Sequence, residues 1–229
     1  MEKAKTIKPF SIKDAREVAA KYTSSMGDDF IALDDISLAN LSNDTIRLGF
    51  FTYCFCTGGS AKFMINTQTV EMSSGDLFIG VGDQVFSKLD VSEDFHARMI
   101  LVSHQSIQDG IAGLTQLWPF LQYLYKYPVT HLTLKEQEWA KAGFDYIIWR
   151  MQREETRYRR ETMTALIRLF YFDVCDILSS HCMSPVDIRS GSFGLFDKFI
   201  QLLSANFKKE RNVSWYSNKL CITPKYLSE

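Results

Sequence analysis

The sequence has 229 residues, 46% of them hydrophobic, 14% aromatic and 23% charged, enough apolar surface to bury one sizeable core or two modest ones. Lys and Arg total 26 against 27 Asp and Glu, a formal net charge of -1, which excludes a disordered polyelectrolyte and a uniformly basic nucleic-acid coat. No apolar run approaches the roughly 20 residues of a membrane span, and Met1-Glu2-Lys3-Ala4-Lys5 lacks the apolar core of a secretory signal, so a cytoplasmic protein with no membrane partner is expected.

From Phe30 to Ser103, short β-branched and aromatic runs alternate with turn residues. The runs are Phe30 to Leu33, Ile46 to Cys56, Ala61 to Ile65, Leu77 to Ile79, Val85-Phe86 and Phe95 to Val102. The breakers between them are Ser42-Asn43-Asp44, Gly58-Gly59-Ser60, Ser73-Ser74-Gly75-Asp76 and Gly80-Val81-Gly82-Asp83. Such close spacing leaves no room for crossover helices, so an antiparallel sandwich or barrel is expected. Cys54 and Cys56 share one strand face, where thiolates can hold a soft metal. With five cysteines and no CxxC pair, the expectation is instead reduced, buried apolar thiols and no metal.

After Thr130 the period changes. Thr133-Leu134-Lys135-Glu136 has capping-box spacing, and a long helix should follow with Trp139, Ala142, Ile147, Ile148 and Met151 on its buried face. Gln152 to Glu161 mixes arginines and glutamates and reads as a solvated helix end or connection. Met163, Leu166, Ile167, Phe170, Val174, Ile177 and Leu178 recur every three or four residues and predict a second amphipathic helix, making a helical hairpin. The serines, Pro185 and Gly191 that follow read as a linker. Phe193, Phe196, Phe199, Ile200, Leu203 and Phe207 then return to helical spacing. The fold class is therefore α+β: a β-rich part at 1–130, a helical segment at 131–183, a linker at 184–192 and an all-α part at 193–229.

Charge is concentrated at that last part. From Arg189 onward there are 7 basic and 3 acidic residues, against 11 and 15 up to Thr130. Ser214 can cap a short helix burying Tyr216 and Leu220, Cys221-Ile222 makes a tight turn, and Thr223-Pro224 starts another helix, since Pro suits the first helical position. Helix, tight turn, helix is the outline of a helix-turn-helix, whose second helix enters the DNA major groove.

At these residues the sequence resembles the AraC family of transcription regulators. The likeness runs from Phe196 through Leu203 and Phe207, then Arg211-Asn212-Val213-Ser214, then Leu220-Cys221-Ile222-Thr223-Pro224-Lys225-Tyr226-Leu227-Ser228. The family often has Ala where this chain has Ser217, a small-for-small change. The resemblance implies a DNA-binding regulator whose reading domain has two helix-turn-helix units. This sequence carries the first as far as Glu229, so a partial DNA-binding domain with poor DNA affinity is expected. Lys208, Lys209, Arg211 and Lys219 would contact phosphates, and Thr223, Lys225, Tyr226 and Ser228 would sit where bases are read. More weakly, Gly58 to Asn66 and Val70 to Ile79 are similar to a cupin hairpin running into a Gly-Asp-Leu turn, implying a cupin-like sensory barrel. The family also implies a homodimer, here through Met163, Leu166, Ile167, Phe170 and Val174, although the same residues can simply cover the barrel.

Cupins are often metal enzymes, held to their metal by paired histidines, a glutamate and a later histidine. The four histidines of this chain include none near Ile46 to Leu48, and the late ligand position falls at Phe86. His96 and His104 read as ordinary hydrogen-bonded histidines. Neither a Gly-x-Ser-x-Gly elbow nor a phosphate-binding glycine fingerprint occurs, so no enzyme and no cofactor are expected. If the barrel holds a small-molecule effector, Arg47, Thr52 and Tyr53 are the nearest polar anchors, with the inward strand face left open between Leu48, Phe50, Thr52, Cys54, Cys56 and Gly49, Phe51, Tyr53, Phe55. The other reading of the chain is a stand-alone ligand-binding or protein-interaction module with no DNA role.

Overall fold

The computed structural model describes residues 7, 9–18, 23–37, 45–111, 118–153, 157–181, 195, 198–199, 202–203, 206 and 209–228. The expected linker, Cys182, Phe193, Phe196, Ile200, Phe207 and Lys208 lie outside them. The chain divides into two compact units, one of Met1–Ile111 with Tyr123–Val174 and the other of Ala112–Gln122 with Cys175–Glu229.

The first unit holds two sheets. One runs in the order β1 (Pro9–Phe10), β4 (Ile46–Leu48), β9 (Val85–Val91), β6 (Ser60–Ile65) and β7 (Gln68–Ser73). The other runs β11 (Val129–His131), β8 (Asp76–Gly80), β5 (Phe50–Gly58), β10 (His96–Ser103), β3 (Phe30–Ser37) and β2 (Thr23–Met26). Neighbouring strands are antiparallel except β1 beside β4. Among the described residues the sheets do not close into one ring, so of the expected sandwich or barrel this α+β fold holds the two-layer sandwich. The chain changes sheet at glycines instead of extending a ladder. Gly59 carries φ +62° between β5 and β6, where a Cβ would stand 2.7 Å from the Phe95 amide nitrogen, and Gly75 carries φ +94° between β7 and β8. Asp76 locks the second turn: its Oδ2 accepts from the Ser73 amide at 2.7 Å and its Oδ1 meets His131 Nδ1 at 2.6 Å.

Both faces of β5 are buried, for different reasons. Its even-numbered side chains enter the space between the sheets, where Cys54 and Cys56 join Phe63, Ile65, Met72 and Phe78 and where Phe50 joins Ile31, Leu33, Leu48 and Leu101. The odd-numbered ones face helices α4 (Leu134–Gln152) and α5 (Arg159–His181): Tyr53 meets Phe170 edge-on at 5.1 Å, and Phe55 lies 6.2 Å from Phe144.

The capping box starts α4 as expected, with the Glu136 amide donating to Thr133 Oγ1 at 3.4 Å and the Thr133 amide donating to Glu136 Oε2 at 2.8 Å. Its buried stripe is Ala140, Phe144, Ile147, Ile148 and Met151, so the face is rotated from the expected one: Ala142 is exposed and Trp139 is half-buried, stacked on Phe170 at 5.5 Å. Shorter helices are α1 (Ile12–Val18), α2 (His104–Ile111) and α3 (Trp118–Lys126). Among the described residues no helix is long and apolar enough to cross a membrane.

Candidate functional site

In the second unit, helix α6 (Val213–Lys219) and helix α7 (Pro224–Ser228) flank a tight turn. The cap of α6 is Asn212, whose side-chain oxygen accepts from the Ser214 amide at 2.9 Å. The expected cap, Ser214, lies inside the first turn, and Asn212 takes the role because an Asn two residues earlier is as good an acceptor. Tyr216 is buried, with its hydroxyl donating to the Glu210 carbonyl at 2.6 Å and its ring edge-on to Phe199 at 5.9 Å. Ser217 is fully buried and its hydroxyl donates to the Ser214 carbonyl, which explains why only a small residue suits this position. Leu220, expected on the buried side, is half-buried.

The turn is a Schellman motif. The Ile222 amide donates to the Ser217 carbonyl at 3.0 Å, and the Cys221 amide donates to the Asn218 carbonyl at 3.2 Å. Both bonds satisfy carbonyls that a helix end leaves unpaired. Cys221 takes φ +56°, a left-handed conformation usually given to Gly. Thr223 then caps α7, its hydroxyl accepting from the Tyr226 amide at 3.2 Å, with Pro224 at the first helical position.

Of the expected DNA-contacting residues, Lys209, Arg211, Lys219, Thr223, Lys225 and Tyr226 are all exposed. Tyr226 is 58% exposed, so it points outward rather than into the helix-turn-helix core, while Leu227 is half-buried. The Thr223 hydroxyl is occupied by its capping bond. Lys219 Nζ is held 5.6 Å over the Trp215 ring, a contact the sequence reading missed although the four-residue spacing was visible in it. The Ser228 side chain, like Lys208, lies outside the described residues.

The three expected effector anchors do not meet. Thr52 lies on the inward face of β5, 3% exposed, with an Oγ1 that finds no partner among the described residues. Tyr53, its neighbour, points the opposite way onto α5. Arg47 stands between two inward residues of β4 and is therefore on the outer face of its sheet. The centre of the sandwich is filled by Phe63, 5.0 Å from Phe78 and 4.9 Å from Phe86. Phe86, where a late cupin ligand would fall, is thus a half-buried aromatic packed against that core.

Burial pushes the Cys54 thiol upward, with Cys56 beside it adding to the effect, and pushes Cys56 up to about 11 against the lowering effect of a backbone hydrogen bond from Gly58. At neutral pH both stay protonated, the opposite of what a thiolate metal site requires. Among the described residues no group of three His, Cys, Asp or Glu could hold a metal. His96 pairs with Asp35 at 3.0 Å and His104 with the Gly49 carbonyl at 3.1 Å.

The residues read either as a dimer face or as a cover for the barrel lie on the inner side of α5. Met163, Ile167, Phe170 and Val174 are buried within the first unit, and only Leu166 is half-buried. Phe170 sits between Tyr53, Trp139 and Phe144, so this face covers the six-stranded sheet. The outward face of α5 carries Ala165, Leu169 and Phe172 instead.

A two-sheet sandwich faced by helices, together with a pair of capped helices joined by a tight turn, defines an α+β protein. No protein-family pattern and no curated protein sequence matches the chain. Among solved structures it is similar to the AraC-like transcriptional activator CuxR, with a TM-score of 0.41 and 9% identity over 86% of this chain and 65% of that one. It is also similar to ToxT of Vibrio cholerae strain SCE256 in a structure bound to an unsaturated fatty acid, with a TM-score of 0.41 and 10% identity over 89% of this chain and 73% of that one. A shorter likeness, over 42% of this chain and 24% of the other, is to an oxalate decarboxylase at 10% identity and a TM-score of 0.27. The chain spans 65% of the length of CuxR.

Proposed function

We propose that the chain is a cytoplasmic DNA-binding transcription regulator rather than an enzyme. In this reading the sandwich senses a signal, the helical segment makes a homodimer, and Val213–Ser228 belongs to the DNA-reading element. The observation that carries it is the pair of capped helices joined through a Schellman turn, with Lys219, Lys225 and Tyr226 facing outward. The resemblance of residues 211–228 to AraC regulators supports the same reading. Lys209, Arg211 and Lys219 supply sequence-independent phosphate contacts, and the first turn of α7 offers Lys225 and Tyr226 to base edges. The dimer is assigned to the outward-facing Leu169 and Phe172, three residues apart on α5. A small-molecule effector acts by binding DNA-competent and DNA-incompetent arrangements unequally.

Fluorescence anisotropy with DNA flanking the protein's own coding region, titrated at two salt concentrations, tests this. Binding should weaken with salt, and Lys219→Ala should reduce the log-log salt slope by about 0.9, the value of one lost phosphate contact. Binding indifferent to salt and to Lys219→Ala, Lys225→Ala and Tyr226→Ala would leave the stand-alone binding module as the better account.

A further inference from the structure

We propose that the groove at the start of α5 is a binding site for a small organic oxyanion, with the acid group held by Arg157, Arg159 and Arg160. The groove, of about 350 Å³, lies between the turn joining β2 to β3 at Met26 and Gly27 and the first residues of α5. Among the described residues all three guanidiniums keep donors in reserve. Arg159 gives one Nη2 bond to the Met151 carbonyl at 2.7 Å, while its buried Nε meets no acceptor among the described residues. Arg160 stands 3.6 Å from Asp29 and 3.8 Å from Asp109, too far for hydrogen bonds. Arg157 lies over the Tyr158 ring at 5.4 Å.

The nearest carboxylate, Asp29, is shared: its Oδ2 is the atom 3.6 Å from Arg160, and Glu161 also lines the groove. Asp29 Oδ1 accepts the Ser103 and Ser106 hydroxyls, both at 3.1 Å, and thereby ties the β2–β3 turn to α2. A buried guanidinium nitrogen without an acceptor is costly, and the planar guanidinium fork matches a two-oxygen anion. A second groove of about 370 Å³ shares Arg160 and Glu161 with the first and continues past Thr164 to Arg168. Positions 160, 164 and 168 share one helix face, so the body of the ligand lies along α5, against Gly110 and Ala165, with its acid group at the arginines.

Carboxylate and phosphate both satisfy this chemistry, and calorimetric titration of the whole chain with sodium succinate and with sodium pyrophosphate, each against chloride at matched ionic strength, separates them. Saturable binding of succinate assigns the site to carboxylates, and of pyrophosphate to phosphoryl groups. Arg157→Ala and Arg160→Gln should each weaken it about tenfold, the value of one charge-assisted hydrogen bond or more, without shifting the thermal midpoint. Arg159→Lys, which keeps the charge but loses the fork, should also weaken it. The proposal is overturned if neither anion binds better than chloride, or if binding survives in a cooperatively unfolding Arg157→Ala/Arg160→Gln double variant. No DNA enters the titration, so its failure leaves the regulator reading untouched.

Discussion

Phe170 and Leu169 are adjacent in sequence and opposite in consequence. Phe170 is 4% exposed and meets Tyr53 at 5.1 Å, Trp139 at 5.5 Å and Phe144 at 5.9 Å. Truncation to Ala removes a fully enclosed ring, with three aromatic partners too large to collapse into the space, so the cost should fall within the usual range of about 3–5 kcal/mol for such a change. Against a domain stability of about 5–15 kcal/mol this is a large fraction. With a urea m-value of about 2 kcal/mol/M, Phe170→Ala should lower the urea midpoint by about 2 M at a fixed protein concentration. Leu169 is 57% exposed, and Leu169→Glu should convert the proposed dimer to monomer in light scattering while leaving the unfolding free energy of the dilute monomer within about 0.5 kcal/mol of the parent's. The opposite pattern, in which Phe170→Ala dissociates a dimer at little cost in stability and Leu169→Glu unfolds the chain, would refute the placement of α5 on the six-stranded sheet.

Cys221→Gly should stabilise the second unit by about 1 kcal/mol, because φ +56° costs an L residue with a side chain roughly that much and Gly nothing. Slower exchange of the Ile222 amide would register it, and faster exchange would show that the turn is not left-handed. The buried thiols make stability pH-dependent at the alkaline end. Folding raises Cys56 from its ordinary 9.0 to about 11, chiefly through burial, so the folded state holds this proton more tightly than the unfolded one, and stability that is complete below pH 9 declines between 9 and about 11. A urea midpoint that fell less steeply across this window in Cys56→Ala would check the assignment, and identical slopes would contradict it. A thiol reagent at neutral pH should modify exposed Cys221 while Cys54, Cys56 and Cys175 resist until unfolding.

Much of the fold was legible because local chemistry alone decided it. The Thr133/Glu136 capping box, the Thr223-Pro224 start and the Gly75-Asp76 turn each satisfy named backbone groups within a few residues, and each stands where the sequence put it. The short β1, α1 and β2 before Phe30 were not read, since two to seven residues carry too little periodicity to rise above their surroundings. Asn212 displaced Ser214 as a cap because both are good acceptors and their order of use depends on where Tyr216 must point to reach Glu210.

What the sequence could not carry was orientation. Strand β5 buries almost every side chain on both faces, so the alternation that normally marks the inner face is erased. Thr52 and Tyr53 could therefore be named as anchors of one site when, as neighbours in a strand, they are obliged to point to opposite sides of the sheet. The same degeneracy governs α5: a stripe at three and four residue spacing states that a face is buried but not by what. Tyr53 decides it, because its ring needs an apolar cover on the helix side of the sheet and Phe170 supplies one. The surface left for a partner in the proposed dimer is then the complementary stripe through Leu169, a face that the apolar pattern of the sequence alone does not pick out.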